Sequence, residues 1–301
     1  MHWIASLADF YFRARVLGRP VPLLASFKLT YRCNLACAAC PFHQLGKEQG
    51  HMSWELAASR LRELAKRGCR LIVFEGGEPL LWQDAGHDIN DLLRLAGSLF
   101  LRTAVTTNGT LGLDRPADVI WVSIDGLPET HDRLRSGSFS KIRENLQAST
   151  HRNILVHHTV NRENRHDLGP LLDLLAGIPQ VRGVTMQFFY PYNRGEADLL
   201  LSAAERGEVV REALLLKRRG YPILNAAGSL RRMIDNSWSC RESLLINVDP
   251  DGAVTQGCYA KSRGQVRCDQ CGFTPVAEAA GALDLRPGSL LAGWRTFMKR
   301  R

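Results

Sequence analysis

Leu71-Ile72-Val73-Phe74-Glu75-Gly76-Gly77-Glu78-Pro79 sets the pattern from which the fold follows. Four consecutive apolar residues read as a short buried strand, and the two glycines and the proline end it. The same grammar recurs along the chain. Residues 26–31 lead into Cys33-Asn34-Leu35-Ala36-Cys37-Ala38-Ala39-Cys40; Thr103-Ala104-Val105-Thr106 leads into Thr107-Asn108-Gly109; Val119-Ile120-Trp121-Val122 leads into Ser123-Ile124-Asp125-Gly126. Helices are expected between them, over 54–67 with Ser53 as N-cap and Gly68 as stop, and over about 86–97. Further units follow: helix 139–150, strand 154–160, helix 167–176, strand 183–190 and helix 202–219. Buried strands alternating with helices predict an α/β fold with a parallel sheet. Six such units make a partial (β/α)6 TIM-like barrel. All four polar signatures then fall at the C-terminal edge of the strands, where such sheets bind ligands.

Bulk composition is that of a globular protein, with 301 residues, 45% hydrophobic and 23% charged. The formal charge of +9 is spread along the chain, with small concentrations at Lys217-Arg218-Arg219, Arg231-Arg232 and Lys299-Arg300-Arg301. No interleaved aromatic and basic stripe accompanies it, so nucleic acid is not an expected partner. No apolar run is long enough to span a bilayer. Eight cysteines without an export signal point to a reducing, cytoplasmic setting and to ligand duty. Residues 2–18 read as an amphipathic helix, with Trp3, Ile4, Leu7, Phe10, Tyr11 and Leu17 at helical spacing and Arg13 and Arg15 between them. Its expected role is to pack against the body of the protein; the lesser alternative is a peripheral membrane contact on lipid headgroups, for which its aromatic and arginine content speaks.

Cys33, Cys37 and Cys40 converge on one metal or cluster, whereas a disulfide would leave one sulfur over. Spacing alone weighs a cluster equally against a half-built zinc site or three buried thiols. Three protein ligands on a four-iron cluster would leave one iron open to chemistry. Cys240 and Cys258 flank a β-hairpin over 244–255, and Cys268 and Cys271 form a C-x-x-C pair. Those four sulfurs suit zinc or a cluster. Cys69 reads as a small buried hydrophobe. The chain divides into a helix at 1–24, a barrel at 25–220, and a C-terminal β-hairpin metal domain at 221–301.

In this order the motifs resemble the radical S-adenosylmethionine superfamily. Cys33, Cys37 and Cys40 match its CxxxCxxC loop, Gly76-Gly77-Glu78-Pro79 its GGEP motif, and Ser123-Ile124-Asp125-Gly126 with His131 to Arg135 its fourth-strand region. The resemblance implies a 4Fe–4S cluster on those three cysteines with S-adenosylmethionine as cofactor. It implies Glu78 accepting from the methionine amine, Ser123 donating to ribose and Arg135 pairing with the cofactor carboxylate. Gly76 and Gly77 would let backbone approach the ligand. Asn108 joins them by position, although Asn-Gly is also the commonest tight-turn pair, and a surface ion pair is the alternative for Arg135. The family's adenine-packing aromatic before the third cysteine is replaced by Ala39, leaving Phe42 or Trp82 to supply that wall. The remaining four cysteines fit the shorter, twitch type of auxiliary 4Fe–4S domain.

The implied reaction is reductive cleavage of S-adenosylmethionine to a 5′-deoxyadenosyl radical that takes hydrogen from a substrate. It leads to a net oxidation, crosslink or rearrangement of a small molecule, lipid or peptide. A reducing donor such as flavodoxin or ferredoxin is the implied partner. No peptide-recognition domain precedes the barrel, which argues against a leader-dependent peptide modifier. Candidate substrate contacts are His157 or His158, Asn161, Gln187, Tyr190 and Tyr192, with His43 ambiguous between surface and site. The competing class is a non-catalytic iron–sulfur or zinc protein, which leaves the GGEP and Ser123–Gly126 loops unexplained.

Overall fold

The computed structural model describes residues 2–38, 40, 42, 50–191, 196–258, 260, 261, 266, 268, 271, 272 and 274–299. Ala39, His43 and Tyr192 lie outside the described residues. Six strands form a continuous parallel array: β1 (Leu24–Thr30), β2 (Leu71–Gly76), β5 (Arg102–Thr107), β6 (Val119–Ser123), β7 (Ile154–Val160) and β8 (Val181–Phe188). A two-residue antiparallel pair, β3 (Gln83–Asp84) and β4 (His87–Asp88), decorates the loop after β2.

Alternation within each strand separates two layers. Ala25, Phe27, Leu29, Ile72, Phe74, Val105, Ile120 and Val122 face outward into the large core under the helices. Val73, Ala104, Val119 and Leu155 face inward, in a smaller cluster with Trp121 and Phe297. The helices α2 (Trp54–Lys66), α3 (Ile89–Leu99), α5 (Phe139–Ala148), α6 (Leu168–Ala176) and α7 (Ala203–Arg218) cover the outer layer, and the short α8 (Ala227–Arg232) adds Leu230 to the same core. In α2, Ser53 accepts from the Leu56 N–H as the expected cap, and Leu61 and Leu64 are fully buried. Each such leucine contributes about 2 kcal/mol. A helix the periodicity did not reveal, α4 (Pro128–Leu134), follows β6. It has only two buried side chains, His131 and Leu134, too few for an apolar stripe to show.

The C-terminal hairpin, β9 (Leu245–Val248) and β10 (Val254–Gln256), is part of the same sheet. Its first strand pairs in parallel with β1, giving the order β10-β9-β1-β2-β5-β6-β7-β8. That pairing satisfies the ladder groups β1 would otherwise leave bare at a barrel edge. At the opposite end of the strands from the cysteine loop lie α1 (His2–Tyr11), continued by a π turn over Phe12–Val16, and α9 (Thr274–Leu283). With them are α10 (Pro287–Gly293) and its π-helical extension Trp294–Met298. Phe297 enters the barrel beside Trp121, with ring centroids 5.5 Å apart.

Candidate active site

The loop after β1 is fixed from three sides. Ala38 N–H donates to the Leu134 carbonyl at 3.0 Å, Ala36 N–H to Ser136 Oγ at 3.0 Å, and Asn34 Nδ2 to Thr110 Oγ1 at 2.8 Å. Cys33, Cys37 and Cys40 line one cavity of about 210 Å³ together with Gly76, Gly77, Asn108, Ser123 and Arg135. Burial raises the Cys33 thiol and pushes Cys37 up to about 11, against the opposing pull of Arg135. Buried thiols of this kind become thiolates when a metal centre replaces the proton. Three sulfurs with no histidine or carboxylate are the donor set of an iron–sulfur cluster, so the residues fit that group. Among the described residues no three His, Cys, Asp or Glu side chains close on a single-ion point. A tetrahedral zinc–thiolate site would hold its sulfurs about 3.8 Å apart.

The glycines have two duties. Gly76 and Gly77 line the cavity, and they also let β2 run tight against the root of the cysteine loop. Gly77 N–H donates to the Thr30 carbonyl at 2.7 Å and Glu78 N–H to the Arg32 carbonyl at 2.8 Å. A Cβ on Gly77 would sit 2.1 Å from the Arg32 carbonyl oxygen, and one on Gly76, at φ +125°, 2.6 Å from that of Thr30. The close backbone approach seen at these glycines is to the first loop.

Glu78 is placed differently from the expectation. Its side chain is fully buried and is not among the residues of the cavity wall. Oε1 accepts from Leu80 N–H at 3.0 Å and from Thr107 Oγ1 at 2.8 Å, and Oε2 from Asn108 N–H at 2.7 Å. Burial raises this carboxyl to about 7 in spite of the three donors. In this arrangement Glu78 joins the second-strand motif to the third-strand turn. Asn108 continues the linkage: its Nδ2 contacts Asn34 Oδ1 at 2.8 Å and Cys33 Sγ at 3.7 Å. Its Oδ1 accepts from Thr110, so the asparagine makes the turn and also touches the cysteine loop.

Arg135 is no surface arginine. Its Nε donates to Asp125 Oδ2 at 2.5 Å in a pair with both side chains largely buried. Asp125 Oδ1 also accepts from Thr159 N–H at 2.9 Å, and beside the Arg135 charge its carboxyl is held below the ordinary range although burial opposes this. Arg135 is held above its usual range, burial being outweighed by Asp125 and the Cys37 sulfur. Its two Nη nitrogens have no hydrogen-bond partner among the described residues. Fully buried His131 accepts at Nδ1 from Asp125 N–H at 3.2 Å, which leaves Nε2 as donor to Ser138 Oγ at 3.0 Å. Ser123 lines the cavity at the end of β6.

Of the two expected histidines, His157 faces inward and His158 outward, its Nδ1 donating to the Ile124 carbonyl at 3.0 Å. Gln187 and Tyr190 line the cavity; Asn161 does too, but its Oδ1 caps Glu163 N–H and Asn164 N–H. Phe42 forms part of the wall, 5.5 Å from the Tyr31 ring and stacked on it. Trp82 is excluded from that role: it is buried in the outer core, with Nε1 donating to the Met52 carbonyl at 2.8 Å.

A second chamber of about 270 Å³ lies below, walled largely by apolar side chains such as Leu71, Val73, Trp121, Leu224 and Phe297. Glu75, Thr106, His157 and Gln187 line both cavities, so the two adjoin inside the barrel at these four side chains. Glu75, Thr106 and Lys28 carry no functional motif in the sequence. Only their inward phase in the strand alternation could have signalled them. Lys28 is wholly buried; its Nζ donates to Ser26 Oγ at 2.8 Å and lies 3.9 Å from Glu75 and 3.8 Å from Asp249.

The C-terminal cysteines occupy both flanks of the hairpin. Cys258 is buried, Cys240 and Cys268 are exposed, and Cys271 is half-buried beside Leu245 and Val276. Burial, the Glu242 charge and Cys258 push Cys240 up to about 11, and burial, with smaller contributions from Glu242 and the Cys268 sulfur, raises the Cys258 thiol.

A parallel barrel with three cysteines and a buried cation at one strand-end cavity defines a cofactor-dependent α/β enzyme. Comparison gives the family: a model described as the Radical SAM superfamily matches residues 27–175. The chain belongs to the radical S-adenosylmethionine superfamily of enzymes, which use a 4Fe–4S cluster and S-adenosylmethionine. It is 31% identical over 163 residues to Fe-coproporphyrin III synthase of Methanosarcina barkeri, spanning 50% of this chain and only 40% of that protein. It is 26% identical over 279 residues to the AdoMet-dependent heme synthase of the same organism, covering 85% of this chain and 78% of the other. Streptococcus suis SuiB bound to S-adenosylmethionine shares the fold, with a TM-score of 0.62, 12% identity, and coverage of 88% and 68%. Membership sets aside a non-catalytic role. Among the described residues no helix is long and apolar enough to cross a membrane.

Proposed function

We propose that this enzyme cleaves S-adenosylmethionine reductively at the Cys33, Cys37 and Cys40 site and takes hydrogen from a substrate with an apolar body held in the barrel lumen. The observation that carries this is the adjoining of the two cavities: Glu75, Thr106, His157 and Gln187 line both the cysteine cavity and the apolar chamber. Cys33, Cys37 and Cys40 would hold the 4Fe–4S cluster, which would supply the one electron needed for cleavage of the cofactor's sulfonium bond. The chain does the rest. Arg135, fixed by Asp125, offers a cation to the cofactor carboxylate. Gly76 and Gly77 present bare backbone, and Ser123 a hydroxyl, along the same wall. The apolar lower chamber keeps water from the reacting carbon.

Relatives are named for porphyrin, nucleotide and peptide chemistry, so their names alone select no substrate. The apolar lining favours a compact molecule with one polar end. Cys240, Cys258, Cys268 and Cys271 would hold an auxiliary 4Fe–4S cluster of the twitch type, passing an electron to or from the substrate; a flavodoxin or ferredoxin would supply the primary electron. Anaerobic reconstitution tests the reading. About eight irons per chain are expected, with 5′-deoxyadenosine formed from dithionite and S-adenosylmethionine. The Cys37→Ala variant should keep about half the iron and form no 5′-deoxyadenosine. A fully loaded protein that forms none, with or without candidate substrates, would refute the reading. About four irons with one zinc would refute only its auxiliary part.

A further inference from the structure

Ten large hydrophobic side chains are exposed among the described residues, and eight of them lie on two helical segments. Ile4, Phe12, Val16 and Leu17 belong to α1 and its π turn; Leu285, Leu290, Leu291 and Trp294 belong to α10, the turn before it and its extension. Both segments are amphipathic in position. Phe10, Tyr11 and Ala14 face the protein against Ala279 and Leu283, while Ile4, Phe12 and Val16 form the outer stripe at four-residue spacing. Ser289, Ala292 and Thr296 are buried, while Leu290, Leu291 and Trp294 are not.

The two segments are anchored at the same end of the barrel. Tyr11 Oη donates to the Ala282 carbonyl and Arg15 Nη1 to that of Leu283, both at 2.8 Å, so α1 lies along the end of α9. Arg70, next to the start of β2, donates to the Ser6 carbonyl at 3.2 Å. Arg102, the first residue of β5, donates to the Phe297 carbonyl at 2.9 Å, and Arg182 at the start of β8 to that of Arg295 at 3.3 Å. The pole opposite the cysteine loop therefore carries the exposed apolar surface.

Its net charge is positive. Arg13, Arg15, Arg19, Arg286, Arg295 and Lys299 lie on these segments. Their only carboxylates, Asp9 and Asp284, are paired, Asp9 with Arg13 and Arg70 and Asp284 with Arg241. Exposed apolar side chains with a basic surround match an anionic lipid surface, where acyl chains take the first and headgroups the second. A second copy of the chain would bring the same cations face to face.

We propose that this pole is a membrane-docking surface for anionic bilayers, on which the protein lies with its cysteine loop facing away. The test is flotation of the full chain with phosphatidylcholine vesicles, with and without about a third phosphatidylserine. Binding to the anionic vesicles is expected, weakening as salt rises. Arg286→Ser with Arg295→Ser should weaken it more than tenfold, at about fivefold per basic residue. Phe12→Asp with Leu291→Asp should abolish it, with the far-ultraviolet circular dichroism and melting temperature unchanged. Exposed positions are chosen so that folding survives. Failure of the intact protein to float with anionic vesicles at low salt would overturn the proposal. So would binding that the variants leave intact, or a concentration-dependent dimer that the Asp variants disperse in place of vesicle binding.

Discussion

The side-chain amide of Asn108 lies 3.7 Å from the sulfur of Cys33, and the backbone N–H of the same asparagine is held by Glu78 at 2.7 Å. The second-strand motif thus reaches the cluster loop through a residue of the third strand's turn. Asn108→Ala would keep the backbone bond and lose the contacts to Asn34, Cys33 and Thr110. A cost of about 1–2 kcal/mol is expected, with faster bleaching of the reconstituted cluster by a chelator. Bleaching at the wild-type rate would show that Asn108 only makes its turn.

Gly77→Ala should be far more damaging than an ordinary loop substitution. The added carbon meets the Arg32 carbonyl oxygen at 2.1 Å, and that backbone is itself tied to Glu78 N–H. A loss of about 3 kcal/mol is expected from overpacking against backbone, read from urea denaturation of the iron-free protein. A stability change within about 0.5 kcal/mol of wild type would mean that β2 and the cysteine loop are not packed as described.

His131 gives a pH dependence whose sign is fixed. Burial first, and then the neighbouring Arg135 charge, lower its folded value to about 4 from the ordinary 6.5. Its Nδ1 accepts from Asp125 N–H, so protonation would set donor against donor. Below 6.5 the unfolded chain binds a proton that the folded protein refuses. The neutral histidine's contribution is therefore complete above about pH 6.5 and is lost as pH falls towards about 4. Glu78, raised to about 7, has the opposite slope, so the comparison must be wild type against His131→Gln. Melting temperatures should show wild type losing ground to the variant as pH falls through that window; parallel curves would contradict the buried neutral ring.

Lys28→Met removes the cation at the centre of a buried network. Glu75 accepts from the Ser26 hydroxyl, and Asp249 accepts from Tyr31 Oη at 3.0 Å and lies beside Lys28. Both carboxylates would be left without their central charge. Because each is about a quarter exposed, at 28% and 26%, the expected cost is about 2 kcal/mol, below that of a fully dry pair. Amide hydrogen exchange should accelerate in the hairpin at 245–256, since Asp249 is its turn residue. Unchanged exchange there would show that β9 is held to β1 by its ladder alone.

The sequence by itself determined the alternation of strands and helices, the inward and outward phases of the strands, and the three sulfurs and two glycines of the strand-end loops. These are local properties: a side-chain period, a helix cap at Ser53, a glycine pair that ends a strand. His157 inward and His158 outward follow from the same period of two. The tertiary structure decided which partners those residues meet. Glu78 faces Thr107 and Asn108 because the third strand's turn supplies two donors, which join Leu80 N–H of its own loop in holding the carboxylate. Arg135 is held by Asp125 because α4, invisible as a periodic stripe, folds back over the end of β6. Lys28 can be buried only because Glu75 and Asp249 arrive beside it from other strands. The hairpin extends the barrel because β1 would otherwise expose an unpaired edge. A residue's phase is written in its neighbours along the chain, whereas its partner depends on chain folding that brings distant segments within a few ångströms.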